Sequence, residues 1–163
     1  MLKRFGSTIF YPRPPLNTPL TISVCVFADA GRLCDQAQLF YICGILLGPL
    51  ENYSPFYTVS WMSHKSRRPV KSIAAAEILA VGEGIDEGKM IKYALSDILG
   101  IEIKLIAVTD SKDLFNSLYT QRNATDRSVR ADVNVIRFDF ETKAVDIMAV
   151  SYTHLTLPTI LLV

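Results

Sequence analysis

Cysteine, histidine and tryptophan are scarce in this 163-residue chain: three, two and one copies respectively. Cys25, Cys34 and Cys43 are odd in number and spaced nine apart, which fits neither a fully paired disulfide framework nor the close pairs of a zinc site. Reduced, structural thiols are expected. His64 and His154 stand in no Ser/His/Asp or Cys/His arrangement, so hydrolysis through a covalent enzyme intermediate is not expected. Long apolar runs are also missing. The stretch 39–47 (LFYICGILL) is far short of the ~20 residues of a spanning helix, and residues 1–15 hold no signal-peptide core. The chain is expected to be soluble and intracellular, with no membrane partner. Gly82, Gly84 and Gly88 lie inside a helical pattern rather than between a strand and a helix, so they make no phosphate-binding fingerprint and are expected to allow close helix packing.

What is present is an ordinary globular composition, 50% hydrophobic and 20% charged, which excludes disorder and is enough for one core without staples. The formal net charge of +1 hides a division: residues 1–72 carry 8 basic and 3 acidic groups, residues 73–150 carry 9 and 13. One half could face a polyanion and the other hold cations, although solvated faces produce such a split too.

Residues 1–19 contain Pro12, Pro14, Pro15 and Pro19 without periodicity and read as a lead-in or linker. Residues 20–28 (LTISVCVFA) read as a strand buried on both faces that stops at Asp29. Strands over 39–47 and 56–61 follow, giving an antiparallel meander. Residues 64–71 are basic and proline-broken, hence a loop, and Ser72 can cap a helix over 73–99 that stops at Gly100. A strand over 101–109 then ends in Asp110, and Ser111 can cap a short helix over 112–120. A helix over 128–141 carrying Asp132 and a strand over 144–150 complete the pattern. Residues 151–163 (SYTHLTLPTILLV) continue none of these periodicities and resemble a read-through peptide of translated sequencing libraries. They are expected to be non-native, leaving 20–150 as the domain.

Asp29, Glu77, Asp110 and Asp132 are four carboxylates, far apart in sequence, that one mixed sheet could gather at one edge. Gathered carboxylates repel unless cations neutralise them, the role of oxygen-ligated Mg²⁺, and two such ions can serve both sides of a phosphodiester cleavage. Each acid also has a plain alternative: a strand-end or turn aspartate for Asp29 and Asp110, a first-turn helix acid for Glu77, and pairing with Arg130 or Arg137 for Asp132. Asp35, Asp86, Asp97, Asp113, Asp126 and Asp139 read as surface or capping groups. His64, Lys65, Arg67, Arg68 and Lys71 precede the helix that carries Glu77, and a helix N-terminus with cationic side chains makes a phosphate site. Trp61 reads as core packing rather than as a base-stacking platform.

The ordered runs Phe27-Ala28-Asp29-Ala30-Gly31, Val59–Ser66, Val70–Glu77, Val108-Thr109-Asp110-Ser111 and the segment around Asp132 resemble the ribonuclease H domain of copia-type retrotransposon polyproteins over about residues 20–150. The resemblance implies an α/β ribonuclease H-like fold, with a mixed five-stranded sheet whose first three strands are antiparallel. It further implies Asp29, Glu77, Asp110 and Asp132 as catalytic ligands of two Mg²⁺ ions, with Mn²⁺ as a substitute. The implied reaction is endonucleolytic cleavage of the RNA strand of an RNA/DNA hybrid during reverse transcription, beside an upstream reverse transcriptase domain, in a cytoplasmic virus-like particle or the nucleus. Lys65, Arg67, Arg68 and Lys71 are the expected nucleic-acid contacts. The chain departs from the pattern at Arg130-Ala131-Asp132, where a His-x-Asp is usual, and at Ala30-Gly31. Two other readings stay open: an inactive, truncated module that binds nucleic acid beside a polymerase, and an unrelated phosphohydrolase acting on a small phosphate ester.

Overall fold

The computed structural model describes residues 21–33, 36–48, 54–119 and 126–149. The expected lead-in and tail, Cys34, Asp35 and His154 lie outside the described residues. Five strands form one sheet: β1 (Ile22–Leu33), β2 (Gln36–Leu47), β3 (Phe56–Lys65), β4 (Lys104–Thr109) and β5 (Asp146–Ala149), in the spatial order β3-β2-β1-β4-β5. The first three are the expected antiparallel meander, and β4 and β5 join β1 in parallel. Four helical segments connect them: α1 (Ile73–Leu99), α2 (Lys112–Tyr119), a 3-10 turn (Arg127–Val129) and α3 (Arg130–Glu141). No described helix is long and apolar enough to cross a membrane.

The helix α1 has the expected bounds because both ends are written locally. Ser72 is extended and its hydroxyl accepts from the Ala75 N–H, while Gly100 turns left-handed at φ 64° and donates to the Ser96 carbonyl, satisfying end groups that a helix leaves orphaned. Between them, Ala75, Ala76, Ile78, Leu79, Val81 and Ile85 are buried against Val24, Val26, Leu39, Tyr41 and Leu105 of the sheet. Burial stops near Gly88; Met90, Tyr93 and Ile98 beyond it are exposed.

Strand ends differ from the sequence reading where distant pairing overrides local signals. The strand β1 does not stop at Asp29: its ladder with β2 continues through Asp29↔Phe40 to Leu33↔Gln36. Similarly, β3 runs on to Lys65, which pairs with Gln38, so His64 and Lys65 lie on a strand rather than in a loop. The strand expected over 101–109 begins only at Lys104, and the expected late helix opens with the 3-10 turn.

On the face opposite α1 a smaller cluster, Cys25, Leu46 and Val108 with Phe56 and Ile106, takes no residue from a described helix. Phe27 closes it edge-on to Phe56, with ring centroids 5.3 Å apart. Trp61 pairs with Ile42 on this face of the outermost strand and is 68% exposed; it is not core. Asp139, expected at the surface, is 7% exposed and accepts from Lys89 Nζ at 2.6 Å. Cys25 and Cys43 are free and buried, and burial pushes both thiols up to about 12, the inert state expected of structural cysteines.

The helix glycines divide by what faces them. A Cβ at Gly84 would stand 2.7 Å from Val26 Cγ1, and one at Gly88 would stand 2.7 Å from both Val26 Cγ2 and Leu105 Cδ1, whereas one at Gly82 would meet only Ile136 Cδ1 at 3.8 Å. Helix propensity favours alanine by about 1 kcal/mol at each position, and overpacking costs about 1–3 kcal/mol at the tight ones. Urea unfolding should therefore show Gly82→Ala gaining up to about 1 kcal/mol and Gly84→Ala and Gly88→Ala losing up to about 2 kcal/mol.

Candidate active site

Two of the four expected acids lie just past the paired part of the two central parallel strands. Phe27 of β1 lies beside Val108 of β4 at the last rung of their ladder; two residues on, Asp29 stays in β1 by pairing with Phe40 of β2, whereas Asp110 follows the end of β4. Asp29 is exposed and its Oδ1 accepts from the Ala30 N–H at 2.7 Å. Asp110 follows directly on β4 at a junction fixed from both sides. The buried Thr109 hydroxyl accepts from the Ser111 N–H at 3.1 Å, and the Ser111 hydroxyl accepts from the Leu114 N–H at 3.3 Å, capping α2. Sequence reading found the Ser111 cap and missed Thr109, whose signal was the Thr-Asp-Ser turn chemistry.

Because β1 and β3 both run antiparallel to β2, β3 ends at the edge of the sheet that carries Asp29 and Asp110. The Ser66 N–H donates to the Ala37 carbonyl at 2.7 Å and holds the following loop there. Thus α1 begins near this edge, with Glu77 half-buried in its second turn. Glu77 and Asp110 both interact within the chain.

Asp132, in the first turn of α3, is engaged differently. Its Oδ1 accepts from Arg68 Nη2 at 2.9 Å, so its partner is neither Arg130 nor Arg137. Asp132 raises the Arg68 guanidinium above its ordinary value through this hydrogen bond. Among the described residues, no three His, Cys, Asp or Glu side chains come together as a group that could hold a metal ion. The donor chemistry of Asp29 and Asp110 fits a hard, oxygen-ligated cation. That of Asp132 does not fit as it stands, since a guanidinium supplies its countercharge.

Of the basic residues, Lys65 and Arg67 are exposed, and Lys71 is exposed immediately before the Ser72 cap of α1. Lys71 also lies near enough to help hold the Asp126 carboxyl below its usual range, although the Ser128 hydroxyl is the main cause. Asp126 caps the 3-10 turn, as a capping acid should. His64 Nε2 meets Glu83 Oε2 at 2.7 Å and Nδ1 meets the Lys65 carbonyl at 3.0 Å.

A five-stranded mixed sheet in this order, with helices carried between β3, β4 and β5, defines a ribonuclease H-like fold. Among solved structures, LC11-RNase H1, isolated from compost by a metagenomic approach, is similar with a TM-score of 0.54 and 10% identity, over 80% of this chain and 86% of that one. The crystal structure of LC11-RNase H1 in complex with RNA/DNA hybrid is similar with a TM-score of 0.53 and 9% identity, over 80% of this chain and 87% of that one. No protein-family model and no curated protein matches the sequence.

The His64–Glu83 contact has a testable pH dependence. The Lys65 carbonyl, then Glu83, raise the imidazole above its ordinary value. A raised histidine adds its stability in full below the unfolded value near 6.5 and loses it as pH rises through the folded value. The pair is partly exposed, with side chains 33% and 44% accessible, so the contribution is about 0.3 kcal/mol. Denaturation midpoints should fall slightly from pH 6 towards pH 8, and Glu83→Gln should flatten that fall relative to the parent chain.

Proposed function

We propose that this chain is a divalent-metal-dependent nuclease cutting the RNA strand of RNA/DNA hybrids, with Asp29, Glu77, Asp110 and Asp132 as its acidic set. The observation that supports the reading is the parallel pairing of β1 and β4 up to Phe27 and Val108, two residues before Asp29 and Asp110, on a ribonuclease H-like sheet. The hybrid as substrate draws on LC11-RNase H1, which was crystallised with one. The resemblance to copia-type retrotransposon polyproteins supplies the proposed setting: an adjacent reverse transcriptase domain, a cytoplasmic particle or the nucleus, and Mg²⁺ or Mn²⁺ as the metal.

In this reading Asp29 and Asp110 would hold the cation first, and Glu77 would have to move towards them, since no three acids come together among the described residues. When bound, Mg²⁺ supplies a more acidic water and countercharge for the phosphate oxygens. The protein positions the strand. Lys65, Arg67 and Lys71 are exposed and lead along the chain into the start of α1, where the helix dipole and first-turn backbone N–H groups favour phosphate. Such contacts set register along the backbone and carry no sequence preference, and the distinction of RNA from DNA falls to contacts with 2′-hydroxyls.

A second reading, a nucleic-acid-binding remnant without catalysis, is favoured by the Arg68–Asp132 pair, which occupies one acid and one base of the set at once. One assay separates the two. A labelled RNA/DNA hybrid incubated with the full chain in Mg²⁺ should be cut in the RNA strand, and Asp110→Asn should lower the rate by at least about 10²-fold, in the range of losing a transition-state electrostatic contact. Binding of hybrid by a folded chain with no cleavage, unchanged by Asp110→Asn, would establish the remnant instead.

A further inference from the structure

The face of the sheet away from α1 carries one apolar row that crosses all five strands. The register runs from Trp61 of β3 to Ile42 of β2, from Ile42 to Phe27 of β1, from Phe27 to Val108 of β4 and from Val108 to Met148 of β5, and partners in a register share a face. No described helix contributes to the small cluster beneath this row. Its exposure is uneven: Val108 is buried, Phe27 and Met148 are 38% and 37% exposed, and Trp61, at the outer end, is 68% exposed. The most open position in the row therefore holds its largest ring.

The surroundings of Trp61 are polar, with a cation and without an acid. Two residues along β3 the exposed Ser63 lies beside Phe40, and four along, the exposed Lys65 lies beside Gln38. Gln38 Nε2 donates to Ser63 Oγ at 2.9 Å, and a recess of about 70 Å³ is lined by Gln36, Ala37, Gln38 and Lys65. Neither β2 nor β3 contains an Asp or a Glu. Glu83 does reach β3, but it meets His64, which pairs with Leu39 on the opposite face. Asp29 shares the row of Phe40 and Ser63 and stands two strands away, about 10 Å, a distance over which salt screens its charge.

The geometry points to Trp61 and Lys65 as a docking strip for single-stranded nucleic acid. An unpaired base stacks on the indole and a flanking phosphate meets the ammonium about 13 Å further along the strand, the combination of ring and cation by which proteins hold unpaired strands. The Gln36 and Gln38 amides offer hydrogen bonds to base or sugar edges in the recess beside it. A protein partner fits this end of the face less well, since the centres of protein interfaces are depleted of lysine and serine. A duplex fits less well too, because its bases already stack on one another. The strip leads along the chain towards Arg67 and Lys71, so an unpaired strand extending from a bound hybrid would cross it. That last relation rests on the nuclease reading; stacking on Trp61 does not.

Trp61 is the only tryptophan of the chain, so the indole emission of the full protein reports on this residue alone and the test needs no turnover. Titration with oligo(dT) and with oligo(rU), which stay unpaired, should quench that emission and shield it from acrylamide. An equal response to the two supports the shared strand chemistry, and a stronger response to one supports the strip with DNA or RNA as its source. By anisotropy of labelled oligo(dT), Trp61→Leu should weaken binding about five- to tenfold, the lower part of what one stacked base contributes, and Trp61→Phe, which keeps a ring, should recover most of that loss. Lys65→Gln should lower the slope of log affinity against log salt by about 0.7. Emission unchanged throughout the titration, quenching as strong with a blunt hybrid, or Trp61→Leu binding as tightly as the parent would overturn the strip. So would emission that shifts to the blue when the protein alone is concentrated, which marks the face as a contact between copies. If oligonucleotides quench Trp61 while hybrid stays uncut, the strip stands and the nuclease reading falls. If hybrid is cut and Trp61 does not respond, the strip falls alone.

Discussion

The approach of α1 to the sheet at Gly84 and Gly88 sets the position of everything that follows. Side chains of Val26 and Leu105 occupy the space that a Cβ would need at these two turns, so the helix backbone rests directly on the two central parallel strands. With the middle of the helix pinned there, its capped start lies at the edge of the sheet where β1 and β4 carry Asp29 and Asp110. The loop of basic residues is held at that same edge, by the Ser66 bond to Ala37 at one end and the Ser72 cap at the other. Two glycines at the middle of a helix thereby determine where its N-terminal dipole points.

The helix α3 is tied to this frame by two ion pairs of opposite character. Lys89 and Asp139 form the inner one, with the carboxylate only 9% accessible, and removing either partner would strand a charge in a poorly solvated place. Arg68 and Asp132 form the outer one, where solvent screens the pair and separation costs little. One end of α3 is therefore anchored and the other is held by an exchangeable contact, which suits a helix whose first turn carries a candidate site residue.

How much of this was legible depended on whether the information was local. The start and stop of α1 were readable because Ser72 and Gly100 write them into a few neighbouring residues. The order and type of elements and the antiparallel meander were readable from apolar patterns and turn formers. The ends of β1 and β3 were not, because Asp29 and His64 are held in strands by partners on β2. Nor was the fate of Trp61: an aromatic on an apolar strand reads as core unless it is known to lie on the outermost strand, on a face without a described helix. Asp139 misled for the converse reason, since its cation, Lys89, lies 50 residues away on α1. The same blindness to distant partners hid Arg68 behind Arg130 and Arg137, which are nearer to Asp132 in sequence.

The strand order also has a consequence for how the chain comes off the ribosome. The central strand β1 is made early, yet its neighbour β4 is separated from it by two strands and the longest helix. At synthesis rates of about 5–20 residues per second the meander waits several seconds before α1 and β4 emerge to cover it. During that interval Val24, Val26, Leu39 and Tyr41 stand uncovered along an unfinished edge, the kind of surface that chaperones recognise and that nascent chains exchange with one another. Contacts of such long sequence separation fold slowly, so the yield of native protein would be governed by that wait as much as by the stability of the finished sheet.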